Sequence, residues 1–257
     1  MFQSQAEVLS NSEVVPGMYL LWAEAPEIAG KAAPGQFVTV RCAEGLDPLL
    51  RRPISIHRID RHHIALLFAL VGRGTEWLSR QRDGDSLDMI GPLGHGFTIM
   101  PESKRLLLVA GGVGIAPLIA LAESALLKGL QVTLVLGARS ASMLYPEVPA
   151  GVTLITTTED GSAGIKGRAS DVIAEYLRGA DQVFACGPLP MYQTLARMKP
   201  RLPPVKSFQV LLEQRMGCGI GACYGCTITT ADGLKLVCKD GPVFELDRVH
   251  WKEITPP

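Results

Sequence analysis

The chain has 257 residues, 47% hydrophobic and 19% charged, and its 25 Lys+Arg against 25 Asp+Glu give a formal net charge of +0. This is ordinary globular usage in a chain long enough for two or three compact units, which excludes a disordered protein. Neutrality leaves no electrostatic footprint for nucleic acid or an anionic membrane, and residues 1–7 lack the basic start and apolar run of a secretory leader, so a cytoplasmic protein is expected.

From residue 6 to residue 90, short β-rich runs alternate with Pro/Gly turns, at 19–22, 36–41, 54–59, 64–71 and 86–90. Strands at this spacing without long helices between them predict a small antiparallel barrel. Two stretches in it carry chemistry. In Arg51-Arg52-Pro53-Ile54-Ser55 a proline opens a strand, an arginine can pair with phosphate and a serine can reach a polar ring edge, although Arg-Pro also starts purely structural strands. In Val71-Gly72-Arg73-Gly74-Thr75 a strand runs into glycines and a short helix capped by Thr75, which outlines a pyrophosphate site or an ordinary strand-turn-helix connection. Residues 91–97, rich in glycine with Pro92, read as a hinge between domains.

Beyond Arg105 the periodicity changes. Residues 106–110 form an apolar strand, Gly111-Gly112-Val113-Gly114 a turn, and 115–128 a helix; the uncharged run 106–122, broken by glycines and Pro117, does not read as a membrane span. Strands at 131–136, 152–157 and 182–185 alternate with helices at 170–177 and 190–198, predicting a doubly wound parallel sheet of nucleotide-binding type. The glycine loop through Ala116 and Pro117 lies where such sheets bind ligands, but it departs from G-x-G-x-x-G, and Gly137-Ala138-Arg139 stands where a ribose-binding acid is expected. NAD and NADP therefore both remain open. Cys186-Gly187-Pro188 ends another strand at the same edge, where Cys186 serves either a nicotinamide or the core.

After a linker at 201–204 and a strand at 208–212 come Cys218, Cys223 and Cys226, with Cys238 further on in an expected hairpin. C-x4-C-x2-C plus a distant fourth cysteine is the plant-type arrangement for a [2Fe–2S] cluster, and Gly217, Gly219, Gly221 and Gly225 let the loop wrap tightly. Structural zinc prefers two short cysteine pairs and disulfides an oxidising compartment, so both fit less well. The histidines show no H-E-x-x-H spacing, and no nucleophile elbow or Walker loop occurs. The domains are expected at 1–98, 99–206 and 207–257.

In this order the motifs resemble the ferredoxin-NADP reductase superfamily. Arg52-Pro53-Ile54-Ser55 is similar to its R-x-P-x-S/T flavin motif without the spacer, Gly111 to Pro117 to its G-G-x-G-x-A-P loop, and Cys186-Gly187-Pro188 to its C-G-P motif. With the C-terminal cysteines, the chain resembles the electron-transfer subunits of NAD-dependent (class 1B) dihydroorotate dehydrogenases. That resemblance implies FAD held by Arg52, Pro53, Ile54 and Ser55, by Ala69, Leu70 and Val71, and by Gly74 and Thr75. It implies NAD at Gly111, Gly112, Gly114, Ala116, Pro117, Cys186, Gly187 and Pro188, and a [2Fe–2S] cluster on Cys218, Cys223, Cys226 and Cys238. It further implies an oxidoreductase subunit in a two-plus-two heterotetramer with an FMN-containing dihydroorotate dehydrogenase subunit, serving pyrimidine biosynthesis, with no acid–base catalytic residue. A related reading keeps the cofactors and changes the partner to a hydrogenase, sulfide dehydrogenase or ferredoxin-linked complex. A zinc-stabilised binding protein is the non-enzymatic alternative.

Overall fold

A computed structural model describes residues 1–43 and 45–255. The first six strands, β1 (Phe2–Val15), β2 (Met18–Glu24), β3 (Phe37–Val40), β4 (Arg52–Asp60), β5 (His63–Ala69) and β6 (Ser86–Leu93), close into a barrel in the order β1-β2-β5-β4-β3-β6. Every pair is antiparallel, and alternate side chains such as Ala6, Val8, Leu21, Val38, Ile56 and Leu66 fill the interior. A single helical turn, α1 (Pro26–Ala29), plugs one end with Ile28, and α2 (Arg73–Ser79) follows β5.

The sequence reading names no strand before residue 19, yet β1 is the longest strand described. Its exposed positions are polar and only Ala6, Val8 and Val15 are buried, so alternation rather than hydrophobicity carries the signal. Thr75 also differs from expectation. The residue preceding α2 is Gly72, and Thr75 sits inside the helix, its hydroxyl accepting from the N–H groups of Val71 at 3.0 Å and Gly72 at 3.2 Å. The segment expected as a hinge is pinned: Gly91, Pro92 and Leu93 belong to β6, and the His95 and Phe97 N–H groups donate to Gly241 and Pro34 carbonyls at 2.6 and 2.8 Å.

The second sheet has the order β10-β9-β8-β7-β11-β12-β15, from β7 (Arg105–Gly111), β8 (Gln131–Ala138), β9 (Thr153–Thr158), β10 (Ile165–Lys166), β11 (Gln182–Cys186), β12 (Ser207–Leu211) and β15 (Val243–Glu245). All pairs are parallel except β12 with β15. Helix α3 (Ala116–Leu127) covers one face together with outward barrel residues Met18, Leu20 and Leu67, while α4 (Ala169–Leu177) and α5 (Leu189–Met198) cover the other. Between β12 and β15 the chain forms the cysteine loop and a hairpin, β13 (Thr227–Thr230) with β14 (Gly233–Leu236). The nucleotide sheet thus continues past the boundary expected at residue 206, because β12 and β15 satisfy their backbone groups on β11 and on each other.

Barrel and sheet are joined by a buried polar bridge. His57 of β4 is fully buried, its Nδ1 lies 2.9 Å from the Ala116 carbonyl oxygen and its Nε2 2.9 Å from the Tyr145 hydroxyl. Burial pushes the His57 imidazole down from 6.5 to about 4, against the opposing pull of the Ala116 carbonyl. The unfolded chain takes up a proton here below its ordinary value and the folded chain does not. Stability is therefore expected to fall as pH drops from 6.5 to 4, by up to about 3 kcal/mol. Denaturant midpoints measured from pH 7 downward check this. His57→Asn should flatten the slope, and an unchanged slope would exclude His57 as its source.

Candidate functional site

A cleft of about 670 Å³ opens where the barrel, the glycine loop and the start of the cysteine segment meet. Its walls include Arg52, Pro53, Ile54 and Ser55 of β4, Ala69 with Val71 to Thr75, Val113 and Ala116, and Leu211 to Met216. The walls from β4, Ala69 and the Val71–Thr75 turn are stretches that sequence reasoning singled out, whereas Leu70 is exposed and lies outside the lining, as do Gly111, Gly112, Gly114, Pro117 and Cys186 to Pro188.

The two arginines before Pro53 have different fates. Arg51 is committed to Asp88, with Nη2 donating to the carboxylate at 2.6 Å and Nη1 to the Asp88 carbonyl at 2.7 Å. Arg52 lies along the Gly72–Thr75 turn, held by the Leu50 carbonyl, and a Cβ on Gly74 would come within 2.8 Å of its Cγ. Glycine at 74 is what lets a guanidinium lie against this backbone. Apolar walls from Leu67, Phe68, Leu211 and Met216, with Arg52, Arg73 and Arg215 around them, suit a planar ring joined to a phosphate chain. The residues present fit FAD.

Beside Val113 and Ala116 of the cleft wall the glycines divide the work. Gly111 and Gly114 pack against the Cys186-Gly187-Pro188 turn: a Cβ on Gly111 would lie 2.8 Å from Pro188 Cδ, and one on Gly114 would run into the Cys186 carbonyl group. Gly112 instead has φ +56° and would aim a Cβ into open space. A dinucleotide approaching the sheet edge needs that space. Gly112→Val should therefore raise the KM for NADH about tenfold, equivalent to about 1.4 kcal/mol. An unchanged KM would remove this loop from the nucleotide's path.

Cys186 is buried within the sheet, and burial pushes its thiol well above the usual range. Beside it the Tyr192 hydroxyl accepts from the Gly187 N–H at 2.9 Å and donates to the Leu211 carbonyl, tying the Cys186 turn to the strand that leads into the cleft. Pro117 is buried in the first turn of α3. Glu213 faces the cleft. The residue is exposed there, and desolvation by the protein around it raises the pKa of its carboxyl. Leu211, Leu212, Glu213, Gln214, Arg215 and Pro242 are cleft residues that sequence motifs did not supply. Their position after the last parallel strand, at the edge where α/β sheets bind ligands, is the available signal.

The cysteine loop begins two residues past Met216 of the cleft wall. Cys226 and Cys238 are buried with their sulfurs 3.3 Å apart, whereas Cys218 and Cys223 lie toward solvent. Backbone N–H groups converge on these sulfurs. Ala222 donates to Cys218 at 3.2 Å, Gly221 to Cys238 at 3.1 Å and Cys238 to Cys226 at 3.4 Å. At Cys218, burial opposes ionisation, but the Ile220, Cys223 and Ala222 N–H groups outweigh it and pull the thiol down to about 6. Burial and the adjacent Cys226 push Cys238 up to about 12. Of the loop glycines, Gly219 and Gly221 take positive φ, +74° and +84°. A Cβ on Gly219 would meet Thr39 Cγ2 of the barrel at 2.6 Å, so the loop lies directly on the flavin-side barrel. Four thiols in a nest of N–H donors suit an anionic iron–sulfur cluster.

Comparisons with known proteins bear on the same features. The model of the iron-sulfur cluster binding domain of dihydroorotate dehydrogenase B matches residues 213–250. The dihydroorotate dehydrogenase B (NAD(+)) electron transfer subunit of Desulforamulus reducens is 40% identical over 258 residues, covering 96% of this chain and 98% of its own. That of a Geobacillus species is 40% identical over 259 residues, covering 97% and 99%. Among solved structures, an NADH-dependent reduced ferredoxin-NADP oxidoreductase studied for flavin-based electron bifurcation superposes with TM-score 0.87 at 31% identity, covering 97% of this chain and 91% of that one. The ferredoxin reductase of carbazole 1,9a-dioxygenase, at TM-score 0.68 and 19% identity over 80% of this chain and 67% of that one, shares the fold. Identity of 40% over nearly the whole length of both chains places this chain in the family of dihydroorotate dehydrogenase B (NAD(+)) electron transfer subunits.

Proposed function

We propose that this chain is the electron-transfer subunit of an NAD-dependent dihydroorotate dehydrogenase, linking an FMN-containing catalytic subunit to NAD+ in pyrimidine biosynthesis. The observation that carries the reading is the shared wall: Met216 lines the cleft and Cys218 opens the thiol nest two residues later. Bound there, an iron–sulfur cluster exchanges single electrons and a flavin exchanges them singly or as hydride with nicotinamide, which is the chemistry needed between such a partner and NAD+.

The protein's own part is to hold and orient. Arg52 and the Gly72–Thr75 backbone would hold the FAD phosphates, Pro53, Ile54, Ser55 and Ala69 would flank its ring end, and Cys218, Cys223, Cys226 and Cys238 would hold the cluster. Gly112 leaves the nucleotide's path open, while Gly111 and Gly114 fix the loop on Cys186-Gly187-Pro188. The apolar cleft walls from Leu67, Phe68, Leu211 and Met216 would limit water around a bound flavin ring. No side chain is assigned an acid or base role.

Cys218 and Cys223, at the solvent side of the nest, mark the face toward the partner, in a two-plus-two complex. An anaerobic absorption spectrum recorded during NADH titration tests the cofactors: flavin and iron–sulfur bands should both bleach. Adding an FMN-bearing dihydroorotate dehydrogenase subunit should then give dihydroorotate-dependent NADH formation. The likeness to the reduced ferredoxin-NADP oxidoreductase favours one competing partner, and activity with ferredoxin but not with that subunit would shift the assignment to it.

A further inference from the structure

The bridge at His57 has no place in the cofactor contacts described so far, yet it joins the two walls of the cleft. β4 supplies Arg52, Pro53, Ile54 and Ser55 to the flavin side, and two residues beyond Ser55, about 7 Å along a strand, stands His57. The pairing of β4 with β5 steps from Ile56↔Leu66 to Arg58↔Ala65, so His57 is the extra residue of a β-bulge. Ile56 and His57 are consequently both buried, Ile56 in the barrel core and His57 against the nucleotide domain. A bulge re-aims a side chain in this way, and here the aim is the Ala116 carbonyl, in the first turn of α3 directly after the glycine loop.

Both ring nitrogens are engaged, and they fix one tautomer. The Ala116 carbonyl can only accept, so Nδ1 carries the proton and donates to it, leaving Nε2 to accept from the Tyr145 hydroxyl. Next to this bridge Arg58 reaches the Glu147 carbonyl at 3.1 Å and the Glu123 carboxylate at 3.5 Å, a second tie from the same strand to the same domain. Ala116 itself lines the cleft. One strand therefore carries the flavin contacts and, through His57, grips the backbone that carries the nicotinamide contacts.

We propose that His57 is a positioning residue for hydride transfer between nicotinamide and flavin, acting through its Nδ1–H bond to Ala116 to hold the glycine loop in register with the β4 face of the cleft. The inference rests on the function proposed above. It touches neither cofactor, so its loss acts on the alignment of the reacting atoms and not on nucleotide affinity. Misplacement by about 1 Å costs a transfer step on the order of a hundredfold.

Three variants separate this role from a structural one. His57→Leu removes both partners. His57→Asn keeps a donor at the Nδ1 position for Ala116, and His57→Gln keeps a polar atom at the Nε2 position for Tyr145. Each is purified as the FAD-loaded chain, and three readouts are taken: stopped-flow flavin reduction at saturating NADH, the Kd for ADP-ribose, and hydrogen exchange of the peptide spanning residues 112–122. In Leu and Gln the reduction rate should fall ten- to hundredfold, with ADP-ribose affinity within about threefold and faster exchange in the peptide; Asn should restore rate and exchange toward wild type. Equal rates in Asn and Gln, or faster exchange with an unchanged reduction rate, would overturn the inference. A wild-type chain that binds FAD but is not reduced by NADH would instead overturn the proposed function, and the role of His57 with it.

Discussion

A chain carrying Cys226→Ser is expected to keep FAD and its reduction by NADH but to lose its iron, with electron exchange to the partner subunit falling at least about a hundredfold, the upper end of what even an outer-shell change does to a metal site. The reason lies in how little freedom the position has. Cys226 is 2% exposed, its sulfur is 3.3 Å from that of Cys238, and β13 begins at the next residue, so the backbone cannot shift to offer another donor. The remaining thiols outside the nest, Cys42 and Cys186, are buried elsewhere, in the barrel core and the nucleotide sheet. A serine oxygen is harder than a thiolate and ionises far less readily, which suits soft iron–sulfur ligation poorly. Iron content, the broad absorbance beyond the flavin bands and partner-linked activity are the measurements. Full iron occupancy with undiminished partner activity would remove Cys226 from the ligand set.

Gly114→Ala is expected to damage both stability and flavin reduction by NADH. The added Cβ would run into the carbonyl group of Cys186 and lie 2.7 Å from the Gly187 nitrogen, and all of these are backbone atoms of a strand end that is itself paired on both sides. No flexible side chain can give way, so the loop and the Cys186-Gly187-Pro188 turn must separate. Overpacking of this kind costs about 1–3 kcal/mol, and the separation also misplaces Ala116 in the cleft wall. The expected outcome is a lower denaturant midpoint together with near-complete loss of NADH-driven flavin reduction. Gly112→Ala is the control: nothing lies within 4 Å of its Cβ, and only the left-handed backbone at φ +56° resists it, by about 1–2 kcal/mol. Equal damage from the two substitutions would contradict the close packing assigned to Gly114.

The motifs were legible because each is contiguous in sequence. Pro53 to Ser55 line the cleft, Val113 and Ala116 bring the glycine loop to it, and Gly111 and Gly114 pack on the Cys186-Gly187-Pro188 turn behind. What brings chain segments together was not legible. Arg51 and Arg52 are chemically equivalent on paper, and only Asp88, which β6 places beside Arg51, tells them apart. Glu213 and Arg215 become cleft residues only once β12 is seen to run parallel to β11, and His57 gains meaning only when a bulge turns it toward a helix that starts 59 positions later. β1 escaped because an edge-to-edge barrel strand needs few apolar residues when the interior already holds those of its neighbours.

The placement of the cysteine loop between β12 and β15 has a consequence for biosynthesis. As the chain leaves the ribosome, the barrel has all of its strands once residue 93 has emerged, since β6 closes it on β1 and β3. The sheet, by contrast, cannot receive its outermost strand until residue 245 is available, and by then all four cysteines have been synthesised. The order of synthesis is therefore barrel first, thiols second and the completed sheet last.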